Sequence, residues 1–221
     1  WKPTPESTTG SVTNSQITVN VSNEGKSTSF SVNVSLPAGK TGPFPAIVSL
    51  EAGFMGATIP ASFIQNEGVA VIKYDPYEIG QEGTGRSPKK GKFYDVHDEP
   101  YTGILLAWAW GVSRIIDVIQ QSDGSILKWD SIGVTGCSRF GKGAFTIGVY
   151  DQRIALTMPI ESGTGGVPIY RGLYIDSAQS ASSAYSEEPW LGDAFGSFLD
   201  NNSNNLPTDT HELVAMVAPR G

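Results

Sequence analysis

GVTGCSRFGKGA, residues 133–144, sets a serine between a short β-type run and a helix-forming run, with small residues on both flanks. A serine at such a junction is by default a helix N-cap, its hydroxyl accepting from an orphan amide of the first turn. The other reading is a nucleophile on a sharp strand-to-helix turn, whose strained backbone leaves room only for small neighbours. Gly136 stands two residues before Ser138, as that turn requires. The next glycine is Gly141, giving G-x-S-x-x-G in place of G-x-S-x-G. The spacing favours the nucleophile, and with it a strand–elbow–helix unit.

The flanking sequence fits that unit. Residues 131–136 read as a strand, 139–150 as a helix and 154–160 as a further strand. Upstream, Leu105, Trp108, Val112, Ile115, Ile116 and Ile119 recur at helical spacing within 102–121. The runs 45–52 and 69–74 are continuously apolar, as in strands buried on both faces. The runs 17–21 and 30–36 alternate, and SNEGKST between them predicts a β-hairpin. Residues 1–13 read as a linker or extended edge, and 14–221 as one domain. The polar stretch 75–100 is long for a connection, and long loops in compact domains are often functional. A helix is expected within SAQSASSAYSEEPW, a loop at DNNSNN, and the start of a helix or helix–strand unit in 210–219. The alternation predicts an α/β fold with a mainly parallel sheet.

Composition excludes several classes. Fifteen basic against twenty-two acidic residues give a net charge of −7, with no basic block. Nucleic acid and anionic membrane surfaces are therefore not expected partners. No apolar run approaches bilayer length. The start has neither an initiator Met nor a signal pattern, and reads as a mature or trimmed product. Three glycosylation sequons, at Asn20, Asn33 and Asn201, lean towards secretion. Cys137 is the single cysteine. No His/Cys/Asp cluster has metal-ligand spacing, so no metal or cofactor is expected.

The strings TGCSRFGKGA and PIESGTGG, with GKFYD (91–95), AWAWGVSR (107–114) and APRG (218–221), together resemble the glucuronoyl esterases, carbohydrate esterase family 15. The resemblance implies a three-layer α/β-hydrolase fold. It also implies a secreted, monomeric serine esterase that cleaves esters between 4-O-methyl-glucuronic acid of xylan and lignin alcohols. Carried over by position, Ser138 is the nucleophile and Glu161 the acid that orients a histidine base. Glu161 follows an apolar strand, so it should emerge at the edge where open α/β sheets carry their sites; without the serine motif it would read as a loop carboxylate. Arg139 would stabilise the oxyanion, where charge appears only in the transition state; a helix cap or a surface ion pair is its plainer role. Lys142, one turn on, would bind sugar hydroxyls, or else be an ordinary solvated lysine. Gln179 and Glu187 match further sugar contacts, with Glu188 an alternative to Glu187.

The histidine base of the resembled family lies beyond the APRG segment, as does a sugar-stacking tryptophan. His97 and His211 are the two histidines here, and both read as structural or solvated. In many fungal members the cysteine at the position of Cys137 is disulfide-bonded to a partner near that histidine. A second family cysteine, expected near Ile169, is absent. The chain is thus expected to be part of a longer enzyme and nearly inactive alone. The rival readings are an acetyl-xylan or pectin methyl esterase, and a non-catalytic glycan-binding relative that lacks the base.

Overall fold

The structure, a computed structural model, describes residues 7–9, 12–53, 59–172 and 178–221. Of the stretch 1–13, residues 1–6 and 10–11 lie outside that range. The alternating sequence between 12 and 37 folds as two long strands, β2 (Val12–Asn23) and β3 (Lys26–Pro37), in register from Val12↔Pro37 to Asn23↔Lys26. Their two-residue turn puts both Glu24 (φ 48°) and Gly25 (φ 82°) in the left-handed region. Such a turn twists in the same sense as the strands it joins. β1 (Ser7–Thr9) pairs antiparallel with the first three residues of β2.

The apolar runs form β4 (Phe44–Leu50), β5 (Ala70–Tyr74), β6 (Leu127–Cys137) and β7 (Ile154–Ile160). The sheet order is β1-β2-β3-β5-β4-β6-β7. β5, β4, β6 and β7 are mutually parallel, and β3 joins them antiparallel through β5. β4 is buried along nearly its whole length.

The helices are α1 (Ala61–Asn66), α2 (Lys92–Val96), α3 (Ile104–Gln121), α4 (Arg139–Tyr150), α5 (Ala181–Glu187) and α6 (Thr210–Ala215). All six apolar positions that predicted α3 are buried, and they pack with Phe140 and Ile147 of α4 onto Val34, Val48, Ile72 and Val134 of the sheet. Ile64 of α1 covers Ile47 and Val71 on the opposite face. Helices on both faces of a mostly parallel sheet make the three layers of an α/β-hydrolase fold.

The structure departs from the sequence reading in short elements. α1 and α2 are too short to show a helical period, and DNNSNN turns as a 3-10 segment, Asp200–Asn205. The polar stretch 75–100 is anchored to the core. Trp108, fully buried in α3, donates its Nε1 proton to Gly80 O at 2.7 Å, and the Tyr74 hydroxyl donates to Trp108 O at 3.0 Å. Among the described residues, no helix is long and apolar enough to cross a membrane.

Candidate active site

The cap role is not taken up by the Ser138 side chain. Ser138 occupies the N-cap position of α4, yet its side chain makes no capping hydrogen bond. Its backbone stands at φ 57°, ψ −121°, a conformation that non-glycine residues rarely hold. Two backbone bonds keep it there: Ser138 N donates to Ile160 O at 2.9 Å, and Lys142 N donates to Ser138 O at 3.1 Å.

The displaced glycine has a steric cause. A Cβ on Gly136 would lie 2.5 Å from Phe140 O, and one on Gly141 would lie 2.4 Å from Ile160 O. The turn needs glycine at both places because α4 starts pressed against the ends of β6 and β7. Phe140, at the position where the usual motif has glycine, instead buries its ring against Tyr77 and Trp108.

Glu161 follows β7 directly, and β7 lies beside β6 with Cys137 opposite Ile160. The parallel register therefore brings Ser138 and Glu161 to one sheet edge, each just past its strand. Glu161 also holds a positive φ, 46°, and is exposed. The Cys137 thiol lies 3.9 Å from its Oε2.

Behind this edge the cations gather around an indole. Arg139 hydrogen-bonds Glu82 through Nη1 and lies 3.7 Å from Glu187 through Nη2. Lys142 donates to Ser162 O and sits 4.8 Å above the Trp190 ring, with the Arg139 guanidinium 5.8 Å from the same ring. Cations over an aromatic face are attracted by its quadrupole. Burial pushes the Lys142 pKa below the usual lysine value against the pull of Glu187, and the Arg139 charge adds to the depression. Burial acts the same way on Arg139, but there the Glu82 carboxylate wins and the pKa rises.

Glu82 is the hub that sequence reading missed. Its side chain is only 8% exposed. Besides Arg139 it accepts from Tyr77 Oη at 2.9 Å and Trp190 Nε1 at 2.6 Å. Tyr77 is pushed up to about 12 by burial and by that bond. The available signal was the length and polarity of 75–100. This loop is clamped onto the segment carrying Glu187 and Trp190: Lys89, its side chain wholly buried, donates to Asp193 Oδ1 at 2.8 Å, and Arg86 stacks 3.3 Å from the Tyr185 ring centre.

The remaining sugar-contact candidates fall on the same side. Gly163 (φ 57°) lies between two of them: a Cβ there would come 2.8 Å from Gln179 Oε1 and 3.3 Å from Lys142 Nζ. Gln179 is held by the Thr164 amide, which donates to Oε1 at 3.1 Å. Glu187 faces Arg139, whereas Glu188 accepts from Gly83 N at 2.8 Å. The two neighbours are thus distinguished, and Glu187 joins the cationic cluster.

Neither histidine bonds Ser138 or Glu161 among the described residues. His97 packs on Phe93 and Trp110 beside the hairpin, with ring centres 4.7 and 5.4 Å away. His211 is exposed on α6, 3.9 Å from Glu212. Among the described residues, no group of three or more His, Cys, Asp or Glu side chains is placed to hold a metal. An apolar cavity of about 410 Å³ is lined by Leu105, Phe145, Tyr170, Trp190 and Phe195, and touches none of Ser138, Arg139, Lys142 or Glu161.

Comparison with known proteins identifies the family. A family model described as glucuronyl esterase, fungi, matches residues 19–221. A 4-O-methyl-glucuronoyl methylesterase of Hypocrea jecorina is 40% identical, over 98% of this chain and 46% of the relative. The crystal structure of a glucuronoyl esterase from Sporotrichum thermophile superposes with a TM-score of 0.80 at 38% identity, covering 97% of this chain and 57% of that one. A mutant of that esterase, solved with methyl 4-O-methyl-β-D-glucopyranuronate, gives a TM-score of 0.77 at 36% identity, covering 98% and 58%. The chain spans about half the length of the curated relatives it matches.

Proposed function

This chain belongs to the fungal glucuronoyl esterases, and from that premise we propose that it carries the nucleophile and uronate-binding half of a serine-type carboxylic ester hydrolase. The observation that carries the reading is Ser138, held in a strained elbow at a helix start that it does not cap. The acyl group is a 4-O-methyl-glucuronate of glucuronoxylan, and the leaving group a lignin alcohol. The protein acts outside the cell as a monomer.

Ser138 Oγ attacks the ester carbonyl as a base takes its proton. The carbonyl π electrons move onto oxygen, and the Arg139 guanidinium faces that developing charge. Collapse expels the alcohol, which takes up a proton, and leaves the uronate esterified to Ser138; water then repeats the sequence and releases the acid. Glu161 orients the base, for which the family resemblance implies a histidine that the described residues do not place at Ser138. Lys142, Gln179 and Glu187 hold the sugar hydroxyls. The substrate carboxyl is esterified and neutral, so a net-acidic chain does not repel it.

The experiment is hydrolysis of benzyl glucuronate by the 221-residue chain with and without added imidazole. The expected result is hydrolysis that rises with imidazole and disappears in Ser138→Ala. Equal rates in the two proteins at every imidazole concentration would remove the esterase reading and leave a glycan-binding relative. Faster cleavage of acetylated xylan than of the glucuronate would move the assignment to another esterase class.

The depressed Lys142 pKa gives a pH prediction. A lysine whose pKa is lowered loses its proton earlier as pH rises, so sugar binding that needs the ammonium weakens at a pH where an ordinary lysine is still charged. KM for benzyl glucuronate should therefore climb on the alkaline side, and Lys142→Arg, charged throughout, should abolish the climb. A KM flat with pH in the wild-type chain would remove the ammonium from binding.

A further inference from the structure

We propose that Asn20 and Asn33 carry N-linked glycans on the solvent face of the β2–β3 ribbon. This inference rests on the secretory location proposed above and is independent of the esterase chemistry.

Both asparagines sit in the middle of strands, where asparagine is a poor former. Both are exposed and both begin the same tripeptide, Asn-Val-Ser. Strand period puts Asn20 and Ser22 outward together, with Val21 turned in; in the second sequon Asn33 is exposed and Val34 goes to the core, while Ser35 is buried in the finished fold. Their opposite numbers, Ser29 and Gln16, are also exposed.

The ribbon supplies its own control. Its other two asparagines, Asn14 and Asn23, begin no sequon, and the fold uses both: Asn14 Oδ1 accepts from Ser35 at 2.8 Å, and Asn23 Nδ2 donates to Val96 O at 3.0 Å. Among the described residues, neither Asn20 nor Asn33 has a side-chain hydrogen bond. Their amides are left free where the sequon needs them free.

The position also gives the glycans a physical task. β1 covers β2 only as far as Asn14, so beyond it the outer edge of β2 meets no strand among the described residues. A long uncovered edge is a template for pairing with another chain. A hydrated sugar on Asn20 would stand beside that edge and keep a second strand from docking.

In the transfer, the asparagine Nδ2 attacks C1 of the oligosaccharide on its lipid pyrophosphate donor. The C1–N bond forms as the C1–O bond breaks, the amide loses one proton, and the lipid pyrophosphate leaves. The test is to express the chain behind a cleavable leader in a eukaryotic secretory host and to treat it with peptide N-glycosidase in heavy-oxygen water. Peptide mapping reads which asparagines become labelled aspartates, in the medium and in the intracellular membrane pool, so that poor export does not hide the answer. Label at Asn20 and Asn33, each lost in N20Q or N33Q, is the expected result. Absence of label at both sites in both pools would overturn the proposal. Imidazole-supported hydrolysis should be the same in the N20Q/N33Q double variant, so this reading and the esterase reading fail separately.

Discussion

Replacing Ser138 by glycine is expected to stabilise the fold while abolishing ester hydrolysis. The serine is held at φ 57°, ψ −121°. A non-glycine residue in such a region costs on the order of 1–3 kcal/mol, whereas glycine enters it freely. Glycine also has more unfolded-state freedom to lose, about 0.5–1 kcal/mol, so the net gain should be about 1 kcal/mol. Ser138→Ala keeps the Cβ and therefore the strain, and should leave stability near the wild type. Urea unfolding of the three proteins measures this as a higher midpoint for glycine alone, with unchanged slope. Imidazole-supported hydrolysis of benzyl glucuronate should fall at least about 10³-fold in both variants, because both remove the attacking oxygen. A glycine variant no more stable than the alanine variant would mean that the elbow stores no strain.

The second large effect is expected at Glu82. Its carboxylate fixes the Arg139 guanidinium, the Trp190 indole and the Tyr77 hydroxyl at once. An arginine free to move must give up about 2 kcal/mol of rotamer freedom to meet a developing oxyanion. Glu82→Gln keeps the shape but weakens the hold on Arg139, so kcat should drop roughly tenfold to a hundredfold, a tenfold drop being about 1.4 kcal/mol. KM should move less, since Lys142, Gln179 and Glu187 do not bond Glu82. Glu82→Ala takes the shared acceptor from three donors, leaving Arg139 only its longer contact with Glu187, and should lower both kcat and the unfolding midpoint. A rise in kcat for Glu82→Gln would mean that the counter-charge on Arg139, not its position, limits the reaction.

The difference between what could and could not be read from the sequence is one of range along the chain. The elbow was legible because Gly136, Ser138 and Gly141 answer to clashes within a few residues and one neighbouring strand. The core of α3 was legible because six apolar residues repeat over a long helix. Trp190 and Glu82 were not, because they meet across 108 residues, and a glutamate in a polar loop looks the same whether solvated or gathering three donors. Glu187 and Glu188 could be told apart only once Gly83 had claimed the second. The steric reason for Gly141 likewise lies in β7, which no local spacing rule contains.

The ladder between β6 and β7 bears on how such a site can change without being lost. Ser138 and Glu161 each follow directly on the last pair of that ladder, Cys137 and Ile160, so their relative placement follows from strand pairing, with strands about 4.8 Å apart, and not from either loop. Residues inserted after Gly163 or before Ile154 would lengthen a loop and leave that spacing alone. The surrounding surface is therefore free to diversify towards different alcohols, while a one-residue slip between β6 and β7 would separate the pair at once.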